Sequence, residues 1–115
     1  MQINRQLATA TLRPMVLAIL SRGPSYGYRI IKRIQDLTDG DIEWTTGTLY
    51  PFLHGLENEG VVQSYWAEAD EGPRRKYYGL TPAGERDLEQ EKAQWARVHA
   101  LLSQLFSPQA GLIPG

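Results

Sequence analysis

The apolar residues of this chain change period twice, and those two changes leave few folds open. Up to Gly60 they recur as they do on helices. Val61-Val62-Gln63-Ser64-Tyr65-Trp66-Ala67 is then dense in β-branched and aromatic residues, the composition of a strand. Ala69-Asp70-Glu71-Gly72-Pro73 has turn chemistry, and Arg75-Lys76-Tyr77-Tyr78-Gly79-Leu80 returns as a second strand. At Thr81-Pro82 the helical period resumes, with Thr as N-cap and Pro in the first turn. Helices, one hairpin and a final helix predict an α+β chain that is mostly α. At 115 residues it has room for one modest core.

Residues 1–10 read as a mobile polar lead-in, with partial helix as the alternative. The first helix is expected over Thr11 to Ser21, because Thr11 as N-cap puts Pro14 in the first turn, where its missing N–H costs nothing. Leu12, Val16, Ile19 and Leu20 gather on one side of it, and Pro14, Leu17, Ala18 and Ser21 on the other. The second set is a spare, fairly apolar face that suggests a partner surface. Ser25 is the expected cap of a second helix from Tyr26 to about Thr38, with Ile30, Ile31, Ile34 and Leu37 inward and Arg29, Lys32 and Arg33 outward. Thr38-Asp39-Gly40-Asp41 breaks it.

The third helix lies within residues 43–60. Leu49, Phe52, Leu53 and Leu56 form its buried stripe, and Gly60 closes it as a C-terminal cap. Its other face carries Thr46, Thr48, Tyr50, Pro51, His54 and Gly55, small hydrogen-bonding residues with no acid among them. Alone this is an amphipathic core helix. Behind a short helix and a turn, and ahead of a hairpin whose tip carries Arg74, Arg75 and Lys76, it reads as the recognition helix of a winged helix-turn-helix.

Charge is segregated along the chain although the net is only −1. Residues 1–35 hold six bases and no acid, residues 36–72 nine acids and no base, and residues 73–79 three bases. Such a distribution forms a basic surface if the basic segments flank the recognition helix, while the near-neutral total predicts weak non-specific DNA affinity. The chain has no cysteine, and its two histidines, His54 and His99, are far apart, so no metal or cofactor is expected. No nucleophile–base pair and no phosphate-cradling glycine loop points to an enzyme. The longest apolar run, Met15 to Leu20, is too short for a membrane span, and the N-terminus lacks a secretory pattern, so the cytoplasm is the expected compartment.

The last helix is expected to run to about Phe106, roughly 38 Å at 1.5 Å per residue. Leu88, Trp95 and Leu102 recur every seven residues, with Val98 and Leu105 between them and Glu91 interrupting the first heptad. A seam this long on so small a domain calls for a cover, and a second copy supplies one. The predicted organisation is a winged helix-turn-helix over residues 1–80, a dimerisation helix over 81–106, and a disordered tail over 107–115.

Gly23-Pro24-Ser25-Tyr26-Gly27-Tyr28, Gly47-Thr48-Leu49-Tyr50-Pro51-Phe52-Leu53, Leu56-Glu57-Asn58-Glu59-Gly60 and Arg74-Arg75-Lys76-Tyr77-Tyr78-Gly79-Leu80-Thr81 resemble, in that order, the PadR-like transcriptional regulators. With one helix after the wing, the chain is similar to the short subfamily and to its multidrug-binding member. The resemblance implies a dimeric repressor whose last helix packs on the partner's first helix. It also implies a flat slot at the interface in which paired tryptophans stack on planar aromatic ligands. Trp95 matches that tryptophan, and the remaining walls map onto Arg13, Pro14, Leu17, Ala18, Ser21 and His99. Arg13, Ala18 and His99 replace polar or acidic residues of that slot, which weakens the case for cationic ligands.

The expected function is therefore a homodimeric DNA-binding repressor on a palindromic operator. Tyr26, Tyr28, Lys32, Thr46, Thr48, Tyr50, His54, Arg74, Arg75 and Lys76 are the expected DNA contacts, and Thr46 or Thr48 doubles as helix cap. Two alternatives stand beside it: a winged-helix protein-interaction module, favoured by the acidic middle segment, and a regulator with no small-molecule ligand.

Overall fold

A computed structural model describes residues 1–68 and 72–108. In chain order it contains α1 (Arg5–Leu20), β1 (Ser25–Tyr26), α2 (Gly27–Leu37), α3 (Thr46–Asn58), β2 (Val62–Ala67), β3 (Arg75–Leu80) and α4 (Pro82–Phe106). Three helices, a hairpin and a final helix match the expected class. Of the expected turn, Ala69, Asp70 and Glu71 lie outside the described residues, as do residues 109–115 of the expected tail.

The first helix starts earlier than Pro14 suggested. Asn4 is its cap, its side-chain oxygen accepting from the backbone N–H groups of Gln6 (2.9 Å) and Leu7 (3.4 Å). Ala8 is buried and Ile3 packs against the core, so residues 1–10 belong to the fold. Pro14 consequently sits inside α1 and deprives the Ala10 carbonyl of its helical donor. Ala10 is exposed, so water can serve that carbonyl instead.

Leu17 is a second correction. It is fully buried in the core with Leu12, Val16 and Leu20, whereas Pro14, Ala18 and Ser21 remain at the surface. Ser25 does not cap α2. It is buried in β1, opposite Tyr78, and its hydroxyl accepts from Arg29 Nε (2.9 Å), leaving Tyr26 at the N-cap position without a side-chain bond. Ile30, Ile31 and Ile34 face inward as expected, but Leu37, the last residue of α2, is 65% exposed.

At α3 the cap is Thr45 rather than Thr46 or Thr48, its hydroxyl accepting from Thr48 N–H (3.3 Å). Leu49, Leu53 and Leu56 are buried and Phe52 is partly so. Gly60, at φ 79°, ends the helix in the left-handed region, where a side chain would be strained. Gly60 N–H donates to Glu57 O and Val61 N–H to Leu56 O, the paired bonds of a Schellman closure. The hairpin follows at once, since β2 begins at Val62.

The sheet has three antiparallel strands in the order β1-β3-β2, one more than the hairpin expected. Register pairs Trp66 with Lys76 and Ser64 with Tyr78. The last helix begins as read, Thr81 Oγ1 accepting from Gly84 N–H (3.1 Å). Leu88 is buried within its own chain, which leaves little of it for an intermolecular seam to cover. Beyond Trp95 the helix has no such cover: Val98, Leu101, Leu102, Leu105 and Phe106 are all exposed, Phe106 by 78%. This half of α4 helps extend the chain to 63 Å along its longest axis.

Candidate nucleic-acid interface

A groove of about 410 Å³ lies where α2, α3 and the hairpin meet. Tyr26 and Tyr28 reach it from the start of α2, Tyr50 and His54 from α3, and Trp66, Arg74, Arg75, Lys76 and Tyr78 from the hairpin. Seven of the ten residues expected to contact DNA thus line a single concavity. None of its three cations has an ion-pair partner among the described residues.

Each cation is held over an aromatic ring. Arg75 lies 4.3 Å from the centre of Tyr26, Arg74 6.0 Å from Trp66, and Lys76 5.6 Å from Tyr78. Such contacts orient a cation without neutralising it, so its charge stays available to an anion. Arg29 takes a second position on Tyr26 at 4.9 Å, and Tyr77 meets Tyr26 edge-on at 5.5 Å and stacks on Tyr65 at 5.8 Å. Tyr26 thereby ties α2 to β3.

The other three expected contacts lie elsewhere. Lys32 is paired with Asp36 at 3.6 Å on the outer face of α2. Thr46 opens α3 in solvent, and Thr48 lines a separate hollow with Arg5, Trp44 and Thr45. Two groove residues escaped the sequence reading. Trp66, more than half exposed, faces the groove because it pairs with Lys76, and that register depends on the turn length. Tyr78 is fully buried and its hydroxyl lacks a hydrogen-bond partner among the described residues. Burial, with Glu57 and Tyr50 nearby, raises its pKa, so it stays a protonated donor.

Arg13, expected in a ligand slot, is committed within the chain. Its guanidinium bonds both oxygens of Glu59 (2.9 and 3.2 Å) and pairs with Asp87 (2.7 Å) and Glu91 (3.5 Å). The Glu59 bond, joined by Asp87, outweighs desolvation and raises the Arg13 pKa further. Of the other slot residues, Pro14, Trp95 and His99 are half-buried or exposed, and Ala18 and Ser21 sit together on α1. Among the described residues no acid–histidine cluster could hold a metal ion, and no helix is long and apolar enough to cross a membrane.

A helix-turn-helix whose third helix runs straight into a β-hairpin wing defines a winged-helix protein. Residues 16–90 match the transcriptional regulator PadR-like family, and the chain belongs to that family. It is 36% identical over 83 residues to the transcriptional regulator YqjI of Escherichia coli, a match covering 72% of this chain and 38% of that protein. Among solved structures it is similar to a PadR family transcriptional regulator from Eggerthella lenta (35% identity, TM-score 0.75, 90% of this chain and 88% of that one). It also resembles a transcriptional regulator from Clostridium thermocellum (29% identity, TM-score 0.79, 89% and 99%). The protein is a transcriptional regulator and not an enzyme.

Proposed function

We propose that this regulator binds double-stranded DNA as a cytoplasmic homodimer and represses transcription from a palindromic operator. The observation that carries the reading is the convergence of Tyr26, Tyr28, Tyr50, His54 and three cations, none ion-paired among the described residues, in one groove beside α3. The exposed face of α3 enters a major groove, and Arg74, Arg75 and Lys76 meet the backbone or the adjacent minor groove. Before Asn58, α3 has no Arg, Lys, Asn or Gln, the usual bidentate base readers, so much of the affinity comes from the wing.

The dimer is supported by the uncovered apolar half of α4 and the spare Pro14, Ala18 and Ser21 side of α1. Covering each leucine-sized side chain is worth about 1.5–3 kcal/mol, set against the entropic cost of association. A planar aromatic ligand between two Trp95 side chains, flanked by His99, would regulate DNA binding to the extent that it prefers one half-site spacing. Arg13 and Leu17 leave this set, one spent on carboxylates and the other in the core.

Fluorescence anisotropy of a labelled duplex tests the DNA reading. Replacing Arg74 and Arg75 by Ala lowers affinity and flattens the slope of log K against log salt by about 0.9 for each phosphate no longer neutralised. An unchanged slope removes the wing from the interface, and no binding even at low salt removes the DNA reading. Titrating acridine by its own emission tests the ligand: the Trp95→Ala chain is expected to lose binding, and equal binding by both chains ends that part.

A further inference from the structure

We infer that Arg13 is a positioning residue that couples the Trp95 face of α4 to the recognition helix, through Glu91 on one side and Glu59 on the other. The links are continuous, hydrogen bonds at both ends and an ion pair between Glu91 and Arg13. Trp95 Nε1–H donates to Glu91 Oε2 (3.1 Å), and the other oxygen of Glu91 lies 3.5 Å from Arg13 Nε. Both Nη atoms of Arg13 donate to Glu59, the C-cap residue of α3. Asp87, one turn before Glu91, anchors the guanidinium to α4 (Nε donor, 2.9 Å).

One guanidinium therefore serves three carboxylates, Glu59 through both Nη atoms and Asp87 and Glu91 on the Nε side, so a shift of the guanidinium toward Glu91 is felt at Glu59. With Trp95 in its present position, Glu91 divides its oxygens between the indole and Arg13. Swinging the indole away leaves Glu91 wholly to Arg13, which draws the guanidinium toward α4 and loosens the bidentate grip on α3. Two sites share one donor, and the two arrangements a coupling free energy compares are the guanidinium held on Glu59 and the guanidinium drawn toward Glu91. The three acidic partners of Arg13 come from α3 and α4, so the junction joins three helices that no other polar cluster among the described residues joins. The coupling stands on the geometry of the chain; only its consequence, a change in DNA affinity, rests on the reading proposed above.

The test uses the full-length, ¹⁵N-labelled chain and the indole N–H signal of Trp95, identified by its loss in Trp95→Phe. Glu59→Gln changes a residue that does not touch Trp95. It is expected to shift the Trp95 signal in the wild-type background and to leave it in place when Arg13 is also replaced by Gln. The indoles of Trp44 and Trp66 serve as controls, and Glu91→Gln replaces Arg13→Gln as the interrupted background where the latter does not fold. A Trp95 signal indifferent to Glu59→Gln, or moved equally in both backgrounds, overturns the proposal. Bound duplex DNA is expected to move the same signal in the wild type only, and binding that leaves it unmoved also counts against the coupling. A chain that ignores DNA yet shows the Glu59→Gln response retires the DNA reading and keeps Arg13 in its role.

Discussion

The ring of Tyr50 rests against the backbone of Gly27, so closely that a Cβ built on Gly27 would stand 2.7 Å from Tyr50 Cζ. The second helix can approach the third at this point only because it carries no side chain there. The atoms in the way are the far end of a side chain that is itself partly exposed, so an added methyl is expected to displace the phenol rather than unfold the chain. Gly27→Ala should therefore alter stability by no more than about 1 kcal/mol, while duplex affinity falls several-fold as Tyr50 leaves the groove. Urea denaturation and anisotropy on the same preparation check both halves. A large loss of stability would contradict the argument.

Gly84 presents the opposite case. A Cβ there would collide with the carbonyl oxygen of Val61, a backbone atom that also accepts from Thr81 N–H (3.2 Å). Neither side can swing away, because Val61 closes α3 and Thr81 caps α4. Gly84→Ala is expected to cost about 1–3 kcal/mol, the usual penalty of overpacking. The loss is read as a lower denaturation midpoint with an unchanged urea slope.

Leu88 and Leu102 share a heptad position but not a fate. Leu88 is covered by its own chain, so Leu88→Ala should destabilise the fold by about 2–5 kcal/mol. Leu102 is exposed, and Leu102→Glu should leave the fold intact while reducing the mass seen by sedimentation to that of one chain. A Leu102→Glu chain that still sediments as a dimer would move the interface away from α4.

Glu59 makes acid stability depend on Arg13. The guanidinium bond holds the Glu59 carboxyl below its ordinary range, so its contribution is present above that range and is lost as pH falls through the lowered folded value. Half of this side chain is exposed, which limits the effect to roughly 0.2–1 kcal/mol. Between pH 7 and pH 3, the wild type is expected to lose more stability than Glu59→Gln, as measured by urea unfolding at each pH. Equal losses would mean that the ion pair contributes nothing to folding.

What could be read from the chain depended on how local the cause was. Thr81-Pro82 and Gly60 announce helix ends through bonds within a few residues, and both stand where they were read. Pro14 misled because its first-turn preference is statistical, and Asn4 offered a better cap further upstream. The strand at Ser25-Tyr26 is two residues long and exists only through pairing with Tyr77 and Tyr78, more than fifty positions away. No local pattern encodes that. The groove was legible in its cations and tyrosines, which motif and charge single out, but not in Trp66, whose direction waits on hairpin register. The ion pairs of Arg13 are illegible for the same reason: its partners are 46 and 74 positions distant.

Only Glu59, Gly60 and Val61 separate the end of α3 from the start of β2, and Gly60 and Val61 are both bound back to the helix. There is no slack in that join. On the DNA-binding reading, the recognition helix and the wing are two teeth of a fixed gauge. The duplex, being the softer body, must bring its major and minor grooves to the spacing the protein dictates. Sequences whose groove width already fits are bound at lower cost than those that must be bent or untwisted. A reader poor in base-specific side chains can in this way select its site by the shape of the helix rather than by the letters on its edge.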